Sequence, residues 1–419
     1  MSFGLFHEGN VAVIGDTSSG DDAAAISVAL PVERRTPNSQ LRFRYEPTYV
    51  AYQNNSDLNY LGQQAHLMYG LTPSKTSSYS FDLDAVRTDH QGVRSTDPQT
   101  AVTFVPRTTQ TNASAVIRGD HTGRRNLIGW EVRASMDRFS APNAVGHTTA
   151  VSCTVSADCD DGDVCTIDSC VNNVCQHGLD QSNPACHLQD STGAGASASW
   201  RYALTERSSL GLGLDAQVYT FDGLPTAYVE SLGVVGAHTF SRTLSMTYIA
   251  GAAFAGSGNE SDTEPVGDVT LSRATSETTT LSAGARRWVS QGSGIGGASL
   301  DQGAYVNYAY SPLHRGANGG VTAGYWKRDP LSISASANAV STDTLSANLY
   351  FGWNFNQYLS LNANYAYSDQ TSSQNALNTQ FGSYGAYLRW SILGDVRRTS
   401  HTKAQGSQQA PQGGERPQP

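Results

Sequence analysis

A chain of 419 residues with net charge −9 carries no surplus of Lys and Arg to neutralise phosphates, which excludes nucleic acid as its partner. The one basic cluster, Arg397, Arg398 and Lys403, lies near the C-terminus, and no run of about 18 or more apolar residues offers a membrane-crossing helix. Only 38% of residues are hydrophobic, while there are 41 Gly and 20 Tyr; that mixture fits either a partly disordered chain or strands that need one apolar face each.

Met1 opens directly onto Ser2-Phe3-Gly4-Leu5-Phe6-His7, without a charged and then apolar leader. The sequence is therefore expected to be a mature form or to begin downstream of the natural start. The first regular element places Leu41, Phe43, Tyr45, Pro47, Tyr49 and Ala51 on one face and Arg42, Arg44, Glu46 and Thr48 on the other. The same period of two, which means strand, recurs where Tyr79, Phe81, Leu83 and Ala85 alternate with Ser78, Ser80, Asp82 and Asp84.

All six cysteines follow in one window: Cys153, Cys159, Cys165, Cys170, Cys175 and Cys186. A segment this short cannot bury a core, so an even number of cysteines predicts disulfides in an oxidising compartment, with about fifteen pairings open to three bridges. There is no CxxC pair for zinc. Asp158, Asp160, Asp161, Asp163 and Asp168, around Gly162, offer hard oxygen ligands for calcium, off the EF-hand spacing; a solvated acidic loop is the other reading. No other cofactor is expected.

Beyond the insert, Leu210, Leu212, Leu214, Ala216 and Val218 alternate with Gly211, Gly213, Asp215 and Gln217, and Leu244, Met246, Tyr248, Ala250, Ala252 and Phe254 form another row. Leu345, Ala347, Leu349, Phe351, Trp353 and Phe355 alternate with polar neighbours, as do Leu359, Leu361, Ala363, Tyr365 and Tyr367. These runs exceed the usual strand of about 5–6 residues and match the roughly 9–11 tilted residues that span a bilayer.

Short turns are expected near Thr72-Pro73-Ser74, Gly123-Arg124, Glu206-Arg207, Ser241-Arg242, Ser276-Glu277, His314-Arg315 and Asn356-Gln357. Longer polar loops are expected near 89–109, 140–195, 256–264, 291–300, 328–342 and 370–379. Alternation of short turns with long loops marks bacterial membrane barrels, and the count comes to about eighteen strands. Tyr45 with Tyr49 and Tyr52, Tyr305 with Tyr308 and Tyr310, Tyr365 with Tyr367, and Tyr384 with Tyr387 and Trp390 collect toward strand ends. Such rings suit the headgroup level, although Tyr is also a good strand former.

The expected fold is thus an all-β, closed, antiparallel up-and-down transmembrane barrel of 16–18 strands with a small disulfide-rich insert. Residues 1–139 and 196–395 would form the barrel, 140–195 an extracellular loop holding the insert at 153–186, and 396–419 a disordered polar tail. A fixed internal period, as in a propeller or solenoid, is absent, and a sandwich would need a larger apolar core and shorter strands.

The last strand, Ser383-Tyr384-Gly385-Ala386-Tyr387-Leu388-Arg389-Trp390, resembles the assembly signal of outer-membrane barrels, which implies recognition of Gly385, Leu388 and Trp390 by the barrel-assembly machinery; here some thirty residues follow it. The body of the chain, notably Tyr45-Glu46-Pro47-Thr48-Tyr49 through Leu58-Asn59-Tyr60-Leu61, resembles porin-like barrels associated with exopolysaccharide secretion, which implies polysaccharide or a secretion complex as partner. The run from Cys153 through Asp158-Cys159-Asp160-Asp161-Gly162-Asp163 to Cys170 is similar to Dictyostelium-type cysteine repeats of secreted and cell-surface proteins, which implies an exposed surface.

With apolar rows against outer-membrane lipid, parity turns Arg42, Arg44, Glu46, Asp82, Asp84, Arg118, Asp120, Glu131, Arg133, Asp137, Asp215, Arg286 and Arg389 inward. In a barrel of this size they would line a water-filled lumen and set selectivity, or else form structural ion pairs along its wall. The expected function is an outer-membrane channel or export conduit for polar solutes; the alternative is a surface anchor whose cysteine-rich loop binds a partner. No enzyme is expected: His66, His90, His121, His147, His177, His187, His238 and His314 are scattered, with no Gly-x-Ser-x-Gly elbow.

Overall fold

The computed structural model describes residues 1–8, 21–54, 59–93, 104–140, 147–152, 159, 166–171, 174–179, 190–222, 225–258, 260–291, 298–312, 316–331, 341–356, 358–372 and 379–390. The tail from Arg397, Cys153, Cys165 and Cys186, and Asp158, Asp160, Asp161 and Asp163 lie outside these residues.

Long alternating runs become strands because each needs only one face in an apolar medium. In chain order these are β1 (Ser2–Glu8), β2 (Asp21–Ser27), β3 (Leu30–Thr36), β4 (Ser39–Tyr52), β5 (Tyr60–Ser74), β6 (Ser77–Val93), β7 (Phe104–Thr122) and β8 (Asn126–Ser140). The insert adds β9 (His147–Ser152), β10 (Thr166–Val171) and β11 (Val174–Leu179). Then come β12 (Ser191–Thr205), β13 (Ser208–Phe221), β14 (Ala227–Thr239), β15 (Leu244–Ser257), β16 (Glu260–Ser276) and β17 (Thr279–Gln291). Last are β18 (Ala298–Tyr310), β19 (Ala317–Pro330), β20 (Thr342–Asn354), β21 (Leu359–Ser372) and β22 (Thr379–Trp390).

Every pairing is antiparallel, and the sheet closes on itself where β22 meets β1, with Phe3 opposite Leu388. At this seam the Met1 ammonium donates to the Trp390 carbonyl (3.0 Å) and the Trp390 amide to the Met1 carbonyl (2.9 Å). β2 and β3 both lie along β4 in one register, from Ala23 opposite Tyr52 to Thr36 opposite Ser39, so they make a single stave. The closed wall therefore has eighteen staves, the number expected.

The polarity is inverted relative to a soluble protein. Leu212, Leu214, Leu232, Val306, Leu345 and Phe351 are exposed on the outer wall, whereas Asp21, Glu131, Asp301, Thr344 and Gln370 are buried. An exterior this apolar belongs in lipid, and with no open sheet edge the backbone is satisfied there. Exposed aromatics crowd the outer wall near the short connections (Tyr69, Tyr79, Trp130, Trp200, Phe240, Trp353, Trp390), with a sparser set toward the other end (Tyr49, Tyr228, Phe254, Tyr325). The aromatic groups read from sequence mix two faces. Tyr52 is buried inside, Tyr305 is buried and shares a hydrogen bond with Thr270 (3.0 Å), and Tyr387 lies over Gly4. Each sits an odd number of residues from its outward partners, and odd spacing in a strand reverses the face.

Several connections differ from the sequence expectation: those at 53–59 and 222–226 are not among the expected ones, and strand continues into the expected loops at 89–93, 104–109, 298–300 and 328–330. The loop placed at 256–264 is strand, with Ser257 opposite Glu260 around Gly258 at φ +60°, because polar residues continue the ladder where a strand runs past the bilayer. A tight turn also joins β3 to β4 at residues 37 and 38; the weakly contrasted alanines of β2 conceal the stave that leads into it.

Cross-strand glycines seat large rings: Trp326 lies over Gly303, 2.6 Å from where a Cβ would stand, and Tyr305 over Gly284, also 2.6 Å. At Gly211 a Cβ would instead run into the Trp200 carbonyl of β12, whereas one at Gly382 would meet nothing within 4 Å. Gly211→Ala is therefore expected to destabilise the barrel by about 1–3 kcal/mol, and Gly382→Ala to change it by less than about 0.5 kcal/mol. Urea midpoints of the two variants in detergent micelles test this, and equal midpoints would contradict it.

In the insert, β10, β11 and β9 form a separate three-stranded antiparallel sheet. Cys159 is bonded to Cys175 with their Cα atoms 5.3 Å apart, and Cys170, opposite Cys175 in register, is disulfide-bonded too.

Candidate functional site in the barrel interior

The inner wall carries its charge in connected rows. The longest crosses five adjacent staves. Asp82 of β6 accepts from Arg118 of β7 (3.2 Å), whose Nε donates to Glu131 of β8 (2.7 Å). Glu131 also accepts from Arg133 on the same strand (3.1 Å), and Arg133 reaches past β12 to Asp215 of β13 (2.6 Å). That reach needs Gly195 on β12, where a Cβ would come 3.1 Å from the Arg133 Nε. Gln217 donates to Asp215, and the Tyr219 hydroxyl to Gln217, extending the row along β13. Three carboxylates thus hold two guanidiniums, and Glu131, bonded to both, is the most buried charge of the five.

The other inward residues read from sequence fall into smaller groups. Arg42 donates to Glu33 (3.2 Å), which also binds Arg35 (2.6 Å) and Gln40 (2.7 Å). Arg44 pairs with Glu46, which accepts from Ser27 (3.0 Å). Asp84 faces His66 at 3.1 Å, and Asp120 lies over Gly129. Asp137 accepts from Asn112 (2.7 Å) and Gln110 (3.2 Å). Arg286 stands 3.8 Å from Asp268 and 5.4 Å over the Trp288 ring. Arg389 is exposed and carries no ion pair among the described residues.

Sequence reasoning missed the best-held pair. Arg328 donates to Asp301 through Nε and Nη2 (2.7 and 3.1 Å), with Ser290 and Ser299 also donating to that carboxylate and Trp326 buried on the same face. The signal was faint: Ala298 through Asp301 are buried on both faces, so alternation fails where the pair sits.

Among the described residues no three His, Cys, Asp or Glu side chains come together to hold a metal ion. Of the acidic residues considered for calcium, Asp168 is described only as part of β10.

The geometry defines an outer-membrane type of β-barrel with a charged inner wall. The sequence matches no protein-family model and no curated protein. Among solved structures it is similar to the FrpB iron transporter of Neisseria meningitidis (F5-1 variant, apoprotein form), with 10% identity over 88% of this chain and 61% of that one, TM-score 0.45. It is similar as well to the copper transporter OprC (10% identity, 92% and 66% covered, TM-score 0.43). A third likeness is to Pseudomonas aeruginosa OpdO (12% identity, 93% and 95% covered, TM-score 0.41). The chain spans less than two thirds of the length of the iron and copper transporters.

Proposed function

We propose that this protein is a passive channel or export conduit of the bacterial outer membrane, carrying polar solutes, polysaccharide among them, without catalysis. The observation that carries the reading is the row from Asp82 to Asp215: a connected set of charges on the inner wall of an eighteen-stave closed barrel. A small barrel fills its interior with side chains, while one of about 16–18 strands has room for water. Charges on such a wall orient solute hydroxyls and bias ions. Short turns would face the periplasm and the cysteine-rich insert the outside, with β22 engaging the assembly machinery through Gly385, Leu388 and Trp390.

A second reading rests on the insert, whose own sheet and Cys159–Cys175 bond make it a stapled module suited to binding a surface partner. Single-channel recording in planar bilayers separates the two. Deleting residues 141–189 should leave stepwise conductance intact if the barrel is the working part. A full-length protein that inserts and never conducts would end the conduit reading.

A further inference from the structure

Five consecutive short connections each place a free basic side chain at one rim. Arg34 precedes the β3–β4 turn, and Lys75, Arg124, Arg207 and Arg242 occupy the turns after β5, β7, β12 and β14. All five are exposed, and none has an ion pair among the described residues. Against them in these turns stands Glu206, and the next turn carries Glu277. The opposite rim is mixed, with Asp22, Asp190, Asp222, Glu260 and Asp262 alongside Arg87, Arg138 and a Lys327–Asp329 ion pair, so the run of basic turns is particular to one rim.

Position makes the arc specific. Exposed Tyr69, Tyr79, Trp130 and Trp200 stand on the outer wall of these staves, a few residues inward from the turns, and exposed Phe240 lies in the β14–β15 turn itself. Aromatic rings settle at the headgroup level, which puts long basic side chains just beyond them at the depth of lipid phosphates. Flexible Arg and Lys stems can reach along the wall to those phosphates, and each basic group near an anionic membrane surface contributes about 1 kcal/mol. The five turns join ten staves that are contiguous around the wall, so the arc would collect several lipids along that stretch of the rim.

We propose that the arc Arg34, Lys75, Arg124, Arg207 and Arg242 binds the phosphate headgroups of anionic phospholipids. The proposal rests on insertion of the barrel into a bilayer. That premise is read separately, because a chain that fails to insert floats free of all vesicles.

The test reconstitutes the full chain into phosphatidylethanolamine vesicles with a minor share of phosphatidylglycerol, extracts it, and counts retained phosphatidylglycerol by native mass spectrometry. The variant carrying Lys75→Gln, Arg124→Gln, Arg207→Gln and Arg242→Gln should retain at least about fivefold less, while Arg124→Lys, Arg207→Lys and Arg242→Lys together should retain nearly the wild-type amount. Unchanged retention in the Gln variant would overturn the proposal. So would displacement of the lipid by millimolar inorganic phosphate, which would mark a free-anion site. Should the Gln variant fail to fold, a salt series on the wild type decides: retention falling as salt rises supports the arc, and retention indifferent to salt refutes it.

Discussion

Leu214→Arg is expected to destabilise the bilayer-embedded barrel by about 2–4 kcal/mol. Leu214 lies mid-way along β13, 57% exposed, on the outer wall beside Leu212. On a water-soluble protein an exposed leucine can become arginine with a change within about 0.5 kcal/mol. Here the guanidinium would enter hydrocarbon, so the size of the effect reports which solvent the wall meets. Leu204 supplies the control: it is also 57% exposed and outward, but sits at the end of β12 beside a short turn. Leu204→Arg should cost no more than about 1 kcal/mol, because the penalty fades toward the interface. Urea titration of vesicle-embedded protein, followed by the mobility shift between folded and boiled forms, gives both values. Equal costs at the two positions would mean that the outer wall has no hydrocarbon depth.

The strand count and the inverted polarity were legible because both follow from a period of two sustained over whole staves. Leu210, Leu212, Leu214 and Val218 face outward and Asp215 and Gln217 inward, as alternation requires. Parity also selects which charges share the inner face. It cannot select partners, since the reach of Arg133 across β12 depends on a glycine at position 195 and on the registers of β12 with β8, which the long insert separates from it in sequence, and with β13. Where alternation weakens, the reading fails for a local reason. The alanines at 23–25 hide β2, the buried run Ala298–Asp301 hides the Arg328 partner, and the polar rows after Ser257 resemble a loop although they pair. The Cys159–Cys175 choice lay beyond spacing altogether: Cys170 is directly opposite Cys175 in the ladder and yet is not the residue bonded to it.

The inner row makes the second large prediction, and its strength is that two substitutions must act in opposite directions. Glu131→Gln removes the carboxylate that receives both Arg118 and Arg133, leaving the row with two cations and two anions. Arg133→Gln leaves three carboxylates around Arg118 alone. If the row borders the conducting path, reversal potentials in a salt gradient should move toward anions for Glu131→Gln and toward cations for Arg133→Gln, because wall charge sets local ion concentration. Both variants should also lose stability, by about 1–3 kcal/mol: a broken buried pair would cost more, but Arg118 and Arg133 are 37% and 26% exposed and solvent takes up part of the loss. Stability alone would not distinguish a structural strut from a pore lining, whereas the sign of the selectivity shift does. Two folded, conducting variants with unchanged reversal potentials would place the row outside the ion path and leave it the role of bracing β6, β7, β8, β12 and β13 against one another.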